Sequence, residues 1–357
     1  MLSAAFRNRH RIEATTIGDA VMAYFNQDEV FVIAEIGSNH EGDFERAKKL
    51  LRLASESGAN AVKFQVYTGD TLVNRLESPT RHQHFKRFEL TYEQYIELAE
   101  IAKELKTMFM ASIWNREALE ILNPYISIYK IGSGDLNAYE MIEATVRTGK
   151  PMIMSCGLAT MADLEEVVQY IGSLDPSYIH DRKLCLLQCT VMYPIPDSDA
   201  NLKSMILIKE RTGLPVGFSD HTVGTYASEI AVSMGAQVIE KHFTDQREGR
   251  QFRDHKISLT REEMQELVHK FKKIKELQGT YDKRIMPSEI ENECRISFRR
   301  AVYPRRDLRA GTLLTREDII SLRPNVGIDG KDYFKLLGKR LKADKKAYER
   351  MSWDDVE

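Results

Sequence analysis

Eight short, β-rich apolar runs recur along this chain, at residues 30–36, 61–67, 108–113, 126–131, 151–156, 184–190, 214–218 and 237–243. Amphipathic stretches with helical spacing separate them, among them 44–57, 92–105, 116–122, 139–148, 161–172 and 225–234. A strand that returns parallel to its neighbour needs a crossover of many residues, usually a helix. Eight βα units in about 250 residues therefore predict an α/β chain folded as a (β/α)8, or TIM, barrel. An open, doubly wound sheet is the alternative, but no glycine-rich phosphate fingerprint follows the first run. Gly58, Gly149, Gly213 and Gly235 each stand between a helical stretch and the next run, where a helix C-cap is expected.

The pattern divides the chain. Residues 1–28 read as an N-terminal extension with a hairpin, and 29–280 as the barrel. The last barrel helix begins at a capping box of Thr260 and Glu263. It carries an apolar stripe of Met264, Leu267, Val268, Phe271 and Ile274, and Gly279 stops it. Residues 281–293 read as a polar linker and 294–357 as a small unit, of a size at which a separate core is marginal. Its residues 307–319 read as a turn, a short strand and a helical turn. The formal net charge of -2 gives nothing global to attract nucleic acid or an anionic membrane. None of the four cysteines forms a CxxC pair and three fall in predicted strands, so they are expected to be reduced in a cytoplasmic protein. No apolar run is long enough to span a membrane, and the first ten residues lack the apolar core of a secretory signal.

In such a barrel the chemistry lies at the C-terminal ends of the strands. Here those ends are polar. The first run holds Glu35, followed by Ser38-Asn39-His40-Glu41-Gly42. The second holds Lys63 and Gln65, which are two apart and so share a face. The third ends near Ser112, and the fourth in Lys130 and Ser133. The fifth ends in Ser155, and the sixth leads to Tyr193. The seventh runs into Ser219-Asp220-His221, and the eighth holds Glu240 and His242. Buried ionisable groups are costly without a role.

Two histidines at the ends of adjacent strands, with carboxylates beside them, suggest a divalent metal rather than a pair of satisfied structural histidines. Lys63 and Lys130, with Ser133, Ser155, Ser219 and the backbone at Gly132 and Gly157, suit a phosphate or carboxylate. Glu35 and Glu240 can move protons. By residue type alone, metal-assisted carbon–carbon bond formation and metal-assisted hydrolysis both fit.

The ordered motifs go further. They are Ala34-Glu35-Ile36-Gly37-Ser38-Asn39-His40, Val62-Lys63-Phe64-Gln65, Tyr129-Lys130-Ile131-Gly132-Ser133-Gly134-Asp135, Gln188-Cys189-Thr190, Tyr193-Pro194, Gly217-Phe218-Ser219-Asp220-His221-Thr222, Glu240-Lys241-His242-Phe243-Thr244 and Asp254-His255-Lys256. In this order the chain resembles the sialic acid synthases, including the legionaminate and pseudaminate synthases. Arg300-Ala301-Val302, Gly311, Arg323-Pro324 and Leu337-Gly338-Lys339 resemble that family's antifreeze-like SAF domain, a β-clip fold.

The resemblance implies condensation of phosphoenolpyruvate with an N-acetylated hexosamine such as N-acetylmannosamine, giving a nine-carbon 2-keto acid and phosphate. It implies Mn2+ or Mg2+ held by His221 and His242. Lys63, Ser112, Lys130, Ser133, Ser155 and Ser219 would be substrate-binding. Glu35, Gln65, Tyr193 and Asp254 would lie near the sugar, and Glu240 beside the metal. Arg323 would enter the barrel of a second subunit in a domain-swapped homodimer. The chain departs from the family pattern at Ala111-Ser112-Ile113-Trp114, Val191, Gln251-Phe252-Arg253 and Asn325, around the expected sugar and phosphate positions. A metal-dependent hydrolase or isomerase and a non-catalytic carbohydrate-binding protein are the competing readings.

Overall fold

The structure is a computed structural model that describes Phe25 and residues 29–357. The hairpin expected within residues 1–28 lies outside the described residues. The rest falls into two compact units, the first ending at Gly279 and the second running Thr280–Glu357.

All eight apolar runs form parallel strands: β1 Phe31–Gly37, β2 Ala61–Val66, β3 Met108–Ile113, β4 Tyr129–Ile131, β5 Met152–Ser155, β6 Leu184–Cys189, β7 Val216–Asp220 and β8 Val238–His242. Each pairs with the next in sequence, and β8 closes on β1 to complete the barrel. Helices return the chain between strands: α1 Phe44–Glu56, α2 Pro79–Phe88, α3 Tyr92–Glu104, α4 Arg116–Leu122, α5 Tyr139–Val146, α6 Met161–Leu174, α7 Lys203–Thr212, α8 Tyr226–Ser233 and α9 Arg261–Gln278. The four glycines expected at helix ends all take positive φ. In α9, Met264, Leu267 and Phe271 are buried, and Thr260 N donates to Glu263 Oε2 at 2.9 Å.

Alternation along the strands sorts side chains into two layers. One set, including Val32, Ala34, Val62, Phe64 and Ile239, packs outward against the helices. The other points into the barrel and changes character along its length. Phe31, Ile33, Ala61, Met110, Ile128, Ile153, Leu187 and Val238 plug one end with apolar side chains. The next inward positions toward the strand C-termini are polar. Register makes several of them direct neighbours: Glu35 lies opposite both Lys63 and His242, Gln65 opposite Ser112, and Ser219 opposite Glu240.

The second unit contains β9 Ala301–Pro304, antiparallel to β10 Ile319–Leu322. Its own apolar cluster includes Val302, Leu308, Leu314, Ile319, Leu336, Leu341 and Met351. The stretch read as a linker carries a helical turn at Pro287–Glu291.

Candidate active site

A cavity of about 490 Å3 opens at the C-terminal end of the barrel. Glu35, Lys63, Gln65, Ser112, Lys130, Ser133, Ser155, Tyr193, Ser219, His221, Glu240 and His242 line it, whereas Asp254, Ser38, His40 and Asp220 do not. Asp254 instead lines an adjoining chamber of about 1040 Å3.

The floor is a buried charge cluster. The Lys63 ammonium pairs with Glu35 Oε2 and lies 3.6 Å from Glu240 Oε2. It also donates to Ser112 Oγ at 3.4 Å. Lys130 Nζ donates to Ser155 Oγ at 2.7 Å and to the Ile131 carbonyl at 3.1 Å, and it lies 3.5 Å from Glu240 Oε1. Ser219 Oγ donates to the same Glu240 oxygen at 2.9 Å. Burial alone would raise both carboxyls, but they part company. Lys130 and Lys63 flank Glu240, overcome its burial and hold it down to about 2. Glu35 has Lys63 close by and feels the charge of Glu240, so burial prevails and pushes it up to about 7. Burial works against the Lys63 ammonium, but Glu240 and Glu35 outweigh it and raise its pKa. Glu240 thus keeps its charge, and Glu35 is the carboxyl that exchanges a proton near neutrality.

Gly37 lets Glu35 sit where it does. Its φ is +54°, and a Cβ there would lie 2.7 Å from Glu35 Oε1, at the register shift that bends β1 away from β2. A similar contact sets the strand-four loop, where Gly157 N donates to Ser133 Oγ at 3.0 Å.

The two histidines share the upper wall with ring centroids 5.4 Å apart. His221 Nδ1 lies 2.8 Å from the Thr190 carbonyl. A carbonyl only accepts, so Nδ1 carries the proton and Nε2 presents its lone pair. His242 Nδ1 is buried with no hydrogen-bond partner, 3.8 Å from Asp254 Oδ2. Burial lowers His221 to about 4 and His242 well below the usual histidine range, so both rings are neutral. Neutral imidazoles, one oriented by a carbonyl and one with an orphaned nitrogen, form a donor set that fits a divalent cation. Among the described residues, no group of three or more His, Cys, Asp or Glu side chains forms a metal cage. A cation here would complete its shell with water or substrate oxygen, as an open catalytic site does. Tyr193 packs over both rings, 4.2 Å from His221 and edge-on to His242 at 5.7 Å. Burial raises its phenol and pushes Asp254 up to about 6, the latter against the opposing charge of Arg253.

Gln65 Oε1 accepts from Ser38 Oγ at 3.4 Å, which ties β2 to the strand-one loop. Arg323 lies in the second unit, with its guanidinium 5.6 Å from the Phe298 ring centre. Sequence reasoning missed several groups. Arg253 stacks 4.3 Å over the Tyr193 ring and lines both chambers. Arg81 and Phe85 of α2 also line both chambers. The signal for them was position, since they lie in the connections that follow the second and eighth strands. Asp220, counted among the polar strand ends, and Lys241, quoted in the eighth-strand motif, do not line the cavity. They alternate with Ser219, His221, Glu240 and His242 and so point outward, forming a wholly buried ion pair at 3.1 Å.

A parallel eight-stranded barrel with an ionised floor and paired neutral histidines defines a TIM-barrel enzyme site. Comparison with known proteins names the family. The NeuB family matches residues 50–283 and the SAF domain residues 299–357. The chain belongs to the NeuB family and ends in a SAF domain. It is 36% identical to N,N'-diacetyllegionaminic acid synthase of Legionella pneumophila, over 92% of this chain and 94% of that protein. It is 34% identical to the uncharacterized protein MJ1065 of Methanocaldococcus jannaschii, over 97% and 99%. Among solved structures, the N-acetylneuraminic acid synthetase of Leptospira borgpetersenii, in complex with citrate, superposes with a TM-score of 0.69 at 30% identity. That match covers 74% of this chain and 90% of that one. Named relatives of this chain are thus sialic-type acid synthases. No helix among the described residues is long and apolar enough to cross a membrane.

Proposed function

We propose that this chain is a nonulosonic acid synthase that condenses phosphoenolpyruvate with an N-acetylmannosamine-type sugar. One observation carries the reading. In a NeuB-family barrel, a buried Lys63–Glu35–Glu240–Lys130 cluster lies under two neutral histidines, one with an unpartnered buried nitrogen.

Lys63 and Lys130 draw the dianionic phosphate and the carboxylate of phosphoenolpyruvate to the floor. Ser112, Ser155, Ser133 and Ser219 supply neutral donors around it. Glu240 stays ionised and keeps both ammonium groups charged. His221 and His242 would hold a divalent cation, Mn2+ or Mg2+, which would supply Lewis-acid polarisation of the sugar aldehyde. Tyr193, Gln65 and Asp254 orient the sugar chain. The enol carbon attacks the aldehyde carbon, a carbon–carbon bond forms as the carbonyl π bond breaks, and the resulting alkoxide takes a proton from solvent to become a hydroxyl. Water adds at the resulting cationic carbon, and Glu35, poised near 7, takes its proton. The carbon–oxygen bond to phosphate then breaks, leaving the 2-keto acid and inorganic phosphate. In the same reading Arg323 of a second copy reaches this cavity, and the working unit is a homodimer in the cytoplasm.

The test is phosphate release from phosphoenolpyruvate with Mn2+, offered N-acetylmannosamine and then its diamino-dideoxy relatives. Release that depends on one sugar, and is lost in His221→Ala and His242→Ala, supports the synthase. No release with any sugar, from folded and metal-loaded protein, sinks it in favour of hydrolysis or binding. Mixing inactive Arg323→Ala and His221→Ala proteins restores activity if the arginine acts across subunits.

A further inference from the structure

Three arginines that line the outer chamber differ in what they touch. Arg81 and Arg87 meet aromatic faces, 5.6 Å from the Phe85 centre and 5.1 Å from the Phe88 centre. Arg253 reaches the histidine wall through two neighbours. Its guanidinium lies 4.3 Å over the Tyr193 ring, whose centre is 4.2 Å from that of His221. Its Nε donates to Asp254 Oδ1 at 3.2 Å, and the other oxygen of that carboxylate, Oδ2, lies 3.8 Å from His242 Nδ1. Among the described residues, no other hydrogen-bond donor meets the Asp254 carboxylate. Arg253 belongs to the Gln251-Phe252-Arg253 stretch at which the chain departs from the family pattern, so the resemblance assigns it no role.

The backbone around Arg253 is held without its side chain. Ser258 Oγ donates to the Asp254 carbonyl at 2.7 Å and accepts from Asn39 Nδ2 at 2.9 Å. Phe252 stacks on His84 at 5.7 Å and meets Phe88 edge-on at 5.3 Å, which docks the loop after β8 on α2. Gly42, with φ +82°, lets the strand-one loop press on the same helix, where a Cβ would stand 2.5 Å from the Arg87 carbonyl oxygen. The Arg253 side chain, by contrast, is 64% exposed and adds little to the core. A long side chain gives up rotamer freedom to lie over one ring and against one buried carboxylate. What that contact fixes is the direction of the carboxylate.

We infer that Arg253 is a positioning residue for the histidine pair. Seated on Tyr193, it turns the Asp254 carboxylate so that Oδ2 faces His242 Nδ1, and so sets how tightly the two imidazoles hold a divalent cation. A ligand histidine commonly gives its second nitrogen to a carboxylate, and loss of such a partner costs roughly 10- to 100-fold in metal affinity. His242 Nδ1 is the buried ring nitrogen of the pair that has no hydrogen-bond partner, so a small inward movement of Oδ2 completes the contact. The sign of the effect separates this role from bare charge. A guanidinium acting only as a nearby cation repels a metal ion, and its removal would tighten binding. The inference rests on the reading of His221 and His242 as a cation site.

The experiment is calorimetric Mn2+ titration of the full-length protein as wild type, Arg253→Met, Arg253→Lys, Asp254→Asn and the double variant Arg253→Met with Asp254→Asn. The Tm of each metal-free protein is measured alongside. Arg253→Met is expected to weaken Mn2+ binding about tenfold. Arg253→Lys keeps a donor for Oδ1 and should recover most of that loss. Metal-free Tm should stay within about 2 °C of wild type in both, since the side chain is largely exposed. In the Asp254→Asn background, Arg253→Met should cost less than about twofold. Unchanged or tighter Mn2+ binding by Arg253→Met overturns the inference. So does a loss of about tenfold that persists in the Asp254→Asn background. A fall in Tm of more than about 5 °C that Arg253→Lys fails to restore makes the side chain structural, which equally refutes it. Wild-type protein that binds no Mn2+ overturns the cation reading and the inference together, whereas wild-type binding matched by Arg253→Met strikes the inference alone.

Discussion

Replacing Lys241 by methionine tests how the two histidines are held. Methionine keeps most of the stem volume, so the main loss is the ammonium. That ammonium lies 3.1 Å from Asp220 Oδ2 and donates to the Thr222 carbonyl at 2.6 Å, with neither charged side chain reached by solvent. Removing one partner of a buried ion pair typically costs about 3–5 kcal/mol, because the other charge stays buried and unpaired. Asp220 keeps hydrogen bonds from Thr222 N, Thr222 Oγ1 and Ser228 Oγ at 2.8, 2.7 and 2.6 Å, so the low end, about 3 kcal/mol, is expected. At roughly 2–4 °C per kcal/mol for a unit of this size, Tm should fall by about 6–12 °C. Asp220→Asn in the same chain removes the stranded charge and should recover at least about 1 kcal/mol of that loss. Denaturant unfolding of the wild type, both single variants and the double variant measures the cycle. The same proteins titrated with Mn2+ should show weaker binding in Lys241→Met, since Asp220 and Lys241 each adjoin a histidine in sequence. A loss below about 1 kcal/mol in Lys241→Met, or a double variant as unstable as the two singles summed, would refute the reasoning.

Two further outcomes follow. His40 is buried, accepts from Gly42 N at 3.1 Å, and is lowered by burial from 6.5 to about 4. The unfolded chain therefore takes up the proton first, so stability should fall as pH drops from about 6.5 toward 4. His40→Asn should flatten Tm against pH in that window, and an unchanged slope counts against it. In Gly157→Ala the new Cβ would stand 2.7 Å from Val191 Cγ2 and 2.9 Å from Ser133 Oγ. Displacing Ser133 should raise KM for phosphoenolpyruvate about tenfold, and an unaltered KM removes Ser133 from the anion site.

The sequence made the barrel legible because apolar runs of strand length alternate with helical spacing eight times. The inward site was legible for a related reason. Lys63 with Gln65, and Glu240 with His242, are polar pairs at a spacing of two inside apolar strands, which places them on one face. Other features depended on contacts distant in sequence. Glu240 lies between Lys63 and Lys130 only once the ring has closed, so the split between the two carboxyls could not be read in advance. Helix α2 has a weak apolar stripe, with Phe88 its one buried residue, so its pattern did not announce Arg81 and Arg87. Asp220 and Lys241 look like part of the reacting motifs but face the helices, where Thr222 and Ser228 satisfy them.

The Glu240 position also bears on how the chain is made. Lys63 and Lys130 stand on the second and fourth strands, and the glutamate that lies between them comes from the last. Burying two ammonium groups with that carboxylate missing would be costly. Arrival of β8 completes the hydrogen-bonded ring and brings the missing negative charge in one step. Ring closure and charge compensation thus fall to the same strand.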